Sequence, residues 1–207
     1  MVNILVIGAH PDDIELGCGG SITKHLELED NVFVLILTNG ENGNHLENRT
    51  ECFNSLKNLG LSESNIIFGN FPDGNLIDNN ILVNFIERYI NKFQITKVYT
   101  HSPEDRHQDH RNCSRAVSSA ARKIPEILLF QGPSTKVSFE PHYFIKISKE
   151  HLDRKIQALS CYQSQIEKGI VNLNQIKNIA GANGVYCNAE YAEAFGINHI
   201  YREGKNV

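Results

Sequence analysis

The stretch VNILVIGAHPDDIELGCGG, residues 2–20, decides the fold class of this chain. It begins with an apolar run rich in β-branched residues that ends at Gly8, which is typical of a buried strand. The polar group HPDD, residues 10–13, follows at once, and we expect a helix from about Gly17 to Leu28. A buried strand, a polar turn and a helix in this order predict an α/β fold whose ligands bind where the strands end.

The same alternation continues along the chain. Further apolar runs predict strands at residues 31–40, 65–70, 97–102 and 126–132. Segments with helical spacing of apolar residues predict helices at 47–59, 80–93 and about 111–122. The pattern predicts a Rossmann-like, mostly parallel sheet with helices on both faces, in a single domain spanning residues 1–207.

The pattern changes after residue 133. Residues 142–148 predict another strand and residues 149–162 a helix with one apolar stripe. We expect the segment 181–197, which contains YAEAF at 191–195, to be helical after its glycines. These residues are expected to complete the same domain.

Bulk composition excludes several classes of function. The chain has 207 residues, of which 41% are hydrophobic, enough for one sizeable core. A net charge of −4 leaves no electrostatic footprint for nucleic acid, and the absence of an apolar run of about 20 residues argues against membrane insertion. The five cysteines are widely spaced without a C-x-x-C pair, and the chain starts on a strand-like run without a basic flank. We therefore expect a cytoplasmic protein.

A second polar cluster, HSPEDRHQDHRN at residues 101–112, follows the predicted fourth strand. Strands one and four are neighbours at the switch point of a doubly wound sheet, so this cluster should meet HPDD in one crevice. A catalytic zinc takes three nitrogen or oxygen ligands and leaves a position for water. His10, one of the two neighbouring aspartates, and His107 or His110 would supply that set. The other carboxylate could take the proton of a water whose pKa falls to about 7 on zinc.

Other interpretations of these motifs stay open at this point. An aspartate before a helix is commonly an N-cap, which applies to Asp12 and Asp13. The sequence GCGG, residues 17–20, could be a phosphate-binding turn, but it lacks the G-x-G-x-x-G fingerprint, and no Gly-Lys-Ser/Thr follows.

The motifs together resemble those of the LmbE-like or PIG-L deacetylases, which remove acetyl groups from N-acetylglucosamine-containing substrates. AHPDDIELGCGG (9–20) is similar to the opening motif of that family, and RHQDHRN (106–112) to its His-x-Asp-His motif. LTNGENG (37–43), FPDGNL (71–76), the pair KIQAL and YQSQ, and YAEAF look like its remaining blocks. The resemblance covers nearly the whole chain and implies a Rossmann-like fold, a divalent zinc and hydrolysis of an N-acyl group on a sugar.

The resemblance also implies roles for individual residues. His10, Asp13 and His110 would bind zinc, and Asp12 would be the general base. His107 would stabilise the tetrahedral intermediate or act as acid, with Asp109 tuning it. The residues that would hold sugar hydroxyls are Arg49, Asp73 and Glu41.

One position departs from the family pattern. Some members have a tyrosine two residues before the first histidine of the second motif, where this chain has Asp105. If that phenol polarises the substrate carbonyl, this chain must use another group, such as His107 or His101.

The sequence thus predicts a zinc-dependent hydrolase that removes the N-acetyl group from an N-acetylglucosamine-type sugar or conjugate. Its expected partner is that small-molecule substrate, without nucleic acid or membrane insertion, and association into a homo-oligomer stays open. The alternatives are a metal-dependent deacylase of a non-sugar amide and a non-catalytic Rossmann-like ligand-binding protein.

Overall fold

A computed structural model describes residues 1–40 and 45–201, with only the backbone described for residues 45–47. One sheet of order β3-β2-β1-β4-β5-β7-β6 runs through it. Its strands are β1 Asn3–Gly8, β2 Asn31–Thr38, β3 Ile66–Phe71, β4 Lys97–His101, β5 Glu126–Phe130, β6 Tyr143–Ile147 and β7 Tyr191–Ile200. Strands β1 to β5 pair in parallel, and β7 pairs antiparallel with both β5 and β6. The predicted α/β fold is confirmed.

Helices cover both faces of this sheet. They are α1 Asp13–Glu27, α2 His45–Asn58, α3 Asn80–Lys92, α4 Gln108–Ala120, α5 Lys149–Leu159, α6 Gln163–Glu167 and α7 Leu173–Val185, with a 3-10 turn at Glu63–Asn65. None of the helices in the described ranges is long and apolar enough to cross a membrane. Most predicted boundaries lie within three residues of these, while α6 and most of α7 were not predicted.

The apolar run of β1 is continuous because both of its faces are covered. Ile4 and Val6 belong to the core on one side of the sheet, and Leu5 and Ile7 belong to the core on the other. All four side chains are fully buried, and each such burial stabilises the fold by about 1.5–3 kcal/mol. The sheet therefore holds the C-terminal end of β1 in a fixed place beside β4.

Helix α1 differs from the prediction at its start and in its middle. It begins at Asp13 rather than near Gly17, and its backbone is broken at Cys18, where φ is −151°. A Cβ on Gly17 would lie 2.4 Å from the ring of Phe130, and one on Gly20 would lie 2.8 Å from Ile147. The GCGG glycines thus allow close packing of α1 on the sheet, and this explains them without a phosphate-binding turn.

A buried ion pair forms hydrogen bonds to the backbone of α1 on both sides of the break at Cys18. The Nζ atom of Lys155 donates to the carbonyl of Leu16 at 2.9 Å and to Oε1 of Glu193 at 2.6 Å. The Glu193 carboxylate accepts from the backbone N–H groups of Gly20 and Ser21 at 3.0 and 2.6 Å. A carboxylate at these N–H groups complements the partial positive charge where the second half of the helix starts.

The helix predicted over YAEAF is wrong, because residues 191–195 open strand β7. Alanine and glutamate have high helix propensity, but tertiary packing can override that preference. Here Ala194 pairs with Phe144 on β6, and Phe195 pairs with both Tyr143 on β6 and Phe130 on β5. Pairing on both sides fixes this segment as an interior strand.

Candidate metal centre and active site

The two polar clusters meet at the C-terminal ends of β1 and β4. His10 follows β1 by two residues, and its backbone N–H donates to Oδ2 of Asp13 at 2.7 Å. His107 is the N-cap of α4 and His110 lies in the first turn of that helix. The predicted neighbourhood of strands one and four is confirmed by the pairing of Leu5 with Val98. Side chains almost a hundred residues apart therefore share one crevice.

Three side-chain groups in this crevice form a triangle. Nδ1 of His10 lies 3.2 Å from Nε2 of His110 and 3.4 Å from Oδ2 of Asp13. Nε2 of His110 lies 3.3 Å from Oδ1 of Asp13. Zinc bound tetrahedrally at its usual nitrogen and oxygen distances separates neighbouring ligand atoms by about 3.4 Å. Nδ1 of His10 and Nε2 of His110 have this spacing, and Asp13 approaches each of them with a different carboxylate oxygen. Among the described residues, the groups whose single donor atoms lie close enough to share an ion are His10 with His107 and His110, Asp13 with His101 and His110, and His10 with Asp73 and Asp109.

The outer nitrogens of both histidines meet acceptors. Nε2 of His10 lies 3.0 Å from Oδ1 of Asp73 and 3.2 Å from Oδ2 of Asp109. Nδ1 of His110 lies 3.3 Å from Oδ1 of Asp105 and 3.2 Å from the hydroxyl of Ser134. A carboxylate on the outer nitrogen fixes the tautomer and turns the other nitrogen toward a metal. The carboxylate of Asp109, which the resemblance assigns to His107, thus contacts His10.

The electrostatics of the crevice favour a cation. Burial alone would lower the pKa of His10, but hydrogen bonds to Asp109, Asp13 and Asp73 raise it to about 12. Burial likewise opposes the charge of Asp13, and the nearby histidines hold the pKa of that carboxylate well below its usual range. The carboxylates thus stabilise positive charge at this point of the fold. A divalent ion bound by neutral imidazoles would supply that positive charge.

His101 belongs to the cluster but has a different function in it. Its Nε2 accepts the backbone N–H of Ala9 at 3.1 Å and lies 3.1 Å from Oδ2 of Asp13. Burial lowers the pKa of His101 to about 4, so the ring stays neutral. A nitrogen that receives a backbone N–H is poorly placed to contact a substrate carbonyl. Of the two histidines considered in place of the family tyrosine, the structure therefore favours His107.

Asp12 occupies the N-cap position of α1 without capping it. Its side chain makes no cap hydrogen bond to the described part of the helix, and its φ of 90° lies in the left-handed region. Burial, with the charges of Asp13 and Glu15, raises the pKa of Asp12 well above its usual range. Asp12 lines the same cavity as His10 and His110. The capping alternative is therefore not realised at Asp12, which borders the cavity instead.

His107 faces the cavity from α4. Its Nδ1 accepts the backbone N–H of Asp109 at 3.2 Å, which leaves Nε2 for a ligand, and its ring centre lies 4.6 Å from that of His110. The predicted tuning of His107 by Asp109 takes another form than a side-chain bond. The Asp109 carboxylate accepts the backbone N–H groups of Gly74 and Leu76 at 2.7 and 3.1 Å, so it orders that turn and acts on His107 through its charge alone.

Asp105 is not a substitute for a phenol facing the substrate. It is fully buried, and its carboxylate accepts hydrogen bonds from the hydroxyls of Ser134 and Thr135 at 2.7 and 3.0 Å. With His110 beside it, the pKa of this carboxylate lies below its usual range although burial opposes the charge. Asp105 therefore supports His110 from behind.

A cavity of about 380 Å³ opens over the triangle. Besides the histidines and aspartates already described, its lining includes polar residues that the sequence did not single out as site residues: Asn48, Ser134, Tyr162, Gln165 and Lys168. They come from α2, from the loop after β5 and from the segment around α6. Tyr162 and Gln165 lie in YQSQ, which resembles a family block, while Asn48 and Ser134 lie in the segments 41–49 and 132–142, which the sequence predicts to choose the group attached to the sugar.

The three predicted sugar-binding residues have different positions. Asp73 lines the cavity and contacts His10. Arg49 is not among the described lining residues: its guanidinium donates to Asn39 and Asn70 at 3.0 and 3.2 Å and stacks on the ring of Phe68 at 4.0 Å. Glu41 lies outside the described residues.

Comparison with known proteins agrees with this geometry. The model of the family described as "PIG-L: GlcNAc-PI de-N-acetylase" matches residues 5–121, more than half of the chain. The chain belongs to the PIG-L deacetylase family. It is also 36% identical over 169 residues to the Escherichia coli (strain K12) protein named "Uncharacterized deacetylase YaiS", covering 78% of this chain and 90% of that relative. PIG-L membership makes the protein an amide hydrolase of the N-deacetylase type.

Several solved structures share the fold of this chain. The conserved protein TT1542 from Thermus thermophilus matches with a TM-score of 0.84 and 28% identity, over 99% of this chain and 98% of that one. The N,N'-diacetylchitobiose deacetylase from Pyrococcus horikoshii matches with a TM-score of 0.79 and 23% identity, over 94% and 83%. The 4-carboxy-2-hydroxymuconate hydratase GalB from Pseudomonas putida KT2440 matches at 0.83 and 21%, over 100% of both chains. The last two similarities show the fold alone.

Proposed function

We propose that this chain is a zinc-dependent deacetylase of N-acetylated amino sugars or their conjugates. The observation that carries the proposal is the triangle of His10, Asp13 and His110 with the uncapped Asp12 beside it. A bound divalent ion would lower the pKa of a coordinated water and polarise the carbonyl of the substrate. His10, Asp13 and His110 would hold that ion.

Proton transfer in the reaction falls to Asp12. Hydrolysis joins the oxygen of water to the acetyl carbon and breaks the carbon–nitrogen bond. Asp12 takes the proton released by the attacking water and returns it to the leaving nitrogen, so the products are acetate and a free amine. The Asp13 carboxylate is less suited to this work, because its oxygens contact His10, His101 and His110.

His107 stabilises the oxygen that becomes negative as the carbonyl is attacked. Its Nδ1 is held by the N–H of Asp109, so Nε2 is the nitrogen available in the cavity. A fixed donor at the developing charge needs no reorganisation during the reaction. This gives His107 the work that a phenol would do in family members with a tyrosine at the position of Asp105.

The walls of the cavity favour a sugar over an apolar amide. Asn48, Asp73 and Gln165 carry amide and carboxylate groups that pair with hydroxyls. The description of the PIG-L family and the name of the structurally similar Pyrococcus horikoshii deacetylase both refer to N-acetylated sugars. Arg49 and Glu41 remain predicted substrate contacts, and the loop that contributes Pro133 and Ser134 is placed to distinguish among attached groups.

A substrate panel tests this proposal. The metal-stripped protein, reconstituted with zinc, would be given N-acetylglucosamine, its glycosides and N,N'-diacetylchitobiose, alongside N-acetylated amino acids and simple N-acetyl amines. Released acetate and new primary amine would be measured. We expect both products in equal amounts from the sugars, at least tenfold less from the other amides, and none without metal.

Two results would overturn the proposal. Preferred cleavage of the non-sugar amides would show that the substrate is not an N-acetylated sugar. Water addition to an unsaturated acid, the kind of reaction named for GalB, without cleavage of any amide would remove deacetylation itself.

A further inference from the structure

The YQSQ motif, residues 162–165, brings one group from the C-terminal region into the catalytic cavity. Tyr162 is the N-cap residue of α6, and its side chain is 1% exposed within the core cluster that packs on α1. Tyr162 also lines the cavity over the histidines. Its hydroxyl therefore ends at the catalytic side of the fold, far in sequence from HPDD.

The hydroxyl of Tyr162 accepts the backbone N–H of Asp12 at 2.9 Å. Asp12 has φ 90° and ψ −28°, a conformation that a residue with a side chain rarely adopts and that persists only where surrounding contacts hold it. The bond from Tyr162 satisfies the N–H group at this unusual point of the backbone. The direction of the Asp12 side chain depends on that backbone conformation.

The same hydroxyl donates to Oε1 of Glu15 at 2.8 Å. Glu15 is 1% exposed and lies in the first turn of α1, three residues after Asp12. Burial raises the pKa of Tyr162 well above its usual range, so the phenol keeps the proton that it donates. One phenol thus bridges the backbone of Asp12 to the first turn of the helix that follows it.

We propose that Tyr162 is a positioning residue that holds the strained backbone of Asp12 and thereby aims its carboxylate at the reacting water. The proposal rests on the proposed function, since it acts through Asp12 as the general base. Tyr162 itself takes no proton in the reaction. Its loss should therefore slow the chemical step without changing how tightly substrate or metal is bound.

The first test compares Tyr162→Phe with Tyr99→Phe. Tyr99 is a matched control: it is 1% exposed in the same core cluster, and its hydroxyl lies 2.9 Å from Nε2 of His25, away from the cavity. Tyr162→Phe removes the hydrogen bonds to both Asp12 and Glu15, and we expect the loss of the bond to the Asp12 N–H to lower kcat about tenfold, with KM and zinc content unchanged. Both variants should lower the melting temperature, but Tyr99→Phe should leave kcat within twofold of the wild-type value.

The second test places Tyr162→Phe in an Asp12→Asn background. If Tyr162 acts through the Asp12 carboxylate, its removal should change kcat less than twofold there. The same tenfold loss in both backgrounds would overturn the proposal, and so would a lower melting temperature with an unchanged kcat in the wild-type background. If Tyr162→Phe proves too unstable to assay, hydrogen exchange on the partly folded variant decides: the Asp12 amide should exchange faster relative to neighbouring amides, and unchanged relative protection would overturn the proposal.

The single variants Asp12→Asn and Tyr162→Phe also distinguish a failure of this inference from a failure of the proposed function. If Asp12→Asn alone keeps wild-type activity, the catalytic mechanism fails whatever Tyr162 does. If Asp12→Asn is inactive at full zinc while Tyr162→Phe is fully active, the positioning role alone fails.

Discussion

Two regions of this sheet contribute to the catalytic cavity in different ways. The parallel strands β1 to β4, nearly all of which lie in the matched residues 5–121, carry the candidate metal ligands and Asp12 at their ends. The region after residue 133 adds two antiparallel strands and three helices. It supplies three buried side chains that hydrogen-bond to the backbone at the start and middle of helix α1: Tyr162, Lys155 and Glu193. The comparison teaches that the chemistry is concentrated in one region while its geometry depends on both.

The largest effect is expected in the first region. His110→Ala should abolish deacetylase activity and reduce bound zinc to a small fraction of the wild-type content, because one of three protein ligands is lost. Metal analysis beside the acetate assay would measure both. The control is His142→Ala, at the start of the second region, which should keep activity and zinc within twofold. Full zinc in His110→Ala would remove His110 from the ligand set.

The second region should respond in stability rather than in chemistry. Lys155→Met leaves the Glu193 carboxylate buried without its cation, which should lower the free energy of unfolding by about 3–5 kcal/mol. Lys149→Met, on the exposed side of the same helix, removes a solvent-screened ion pair with Asp153 and should leave the free energy of unfolding close to that of the wild type. Urea denaturation gives both values.

Activity per folded molecule sharpens the same comparison. We expect Lys155→Met to retain kcat within a fewfold at a temperature where it is fully folded. A kcat loss as large as that of a metal ligand would show that the buried pair takes part in the reaction.

The smallest effect is expected at Arg49, which has structural contacts and is also a predicted substrate contact. Its guanidinium braces the ends of β2 and β3 through Asn39 and Asn70. If it also contacts substrate, Arg49→Ala should raise KM about two- to tenfold, as for one or two lost hydrogen bonds, with little change in kcat. Arg88→Ala, which removes another exposed arginine stacked on aromatic rings, serves as the control in the same kinetic assay. An unchanged KM for the best sugar substrate would leave Arg49 a purely structural residue.

The sequence predicts the first region far better than the second. Apolar runs and the order of elements suffice to place His10 beside His110, because parallel strands bring their C-terminal ends to one edge. YAEAF misled because its composition favours a helix, whereas pairing with β5 and β6 makes it a strand. The bond from Asp12 to Tyr162 has no local signal, since it joins the residue before α1 to the residue before α6 across 150 positions of the chain. The orientation of Asp109 toward His10 likewise follows from the turn at Gly74, which spacing alone does not give.

The most direct measurement of the central claim is the zinc content and kcat of Asp12→Asn. Asparagine has nearly the same size as aspartate but cannot accept the proton of the attacking water, so kcat should fall by about 10²–10⁴ with zinc near the wild-type content. A rate within a fewfold of wild type at full zinc would contradict Asp12 as the general base. Loss of zinc with the activity would instead show that Asp12 and Asp13 have been assigned the wrong way round.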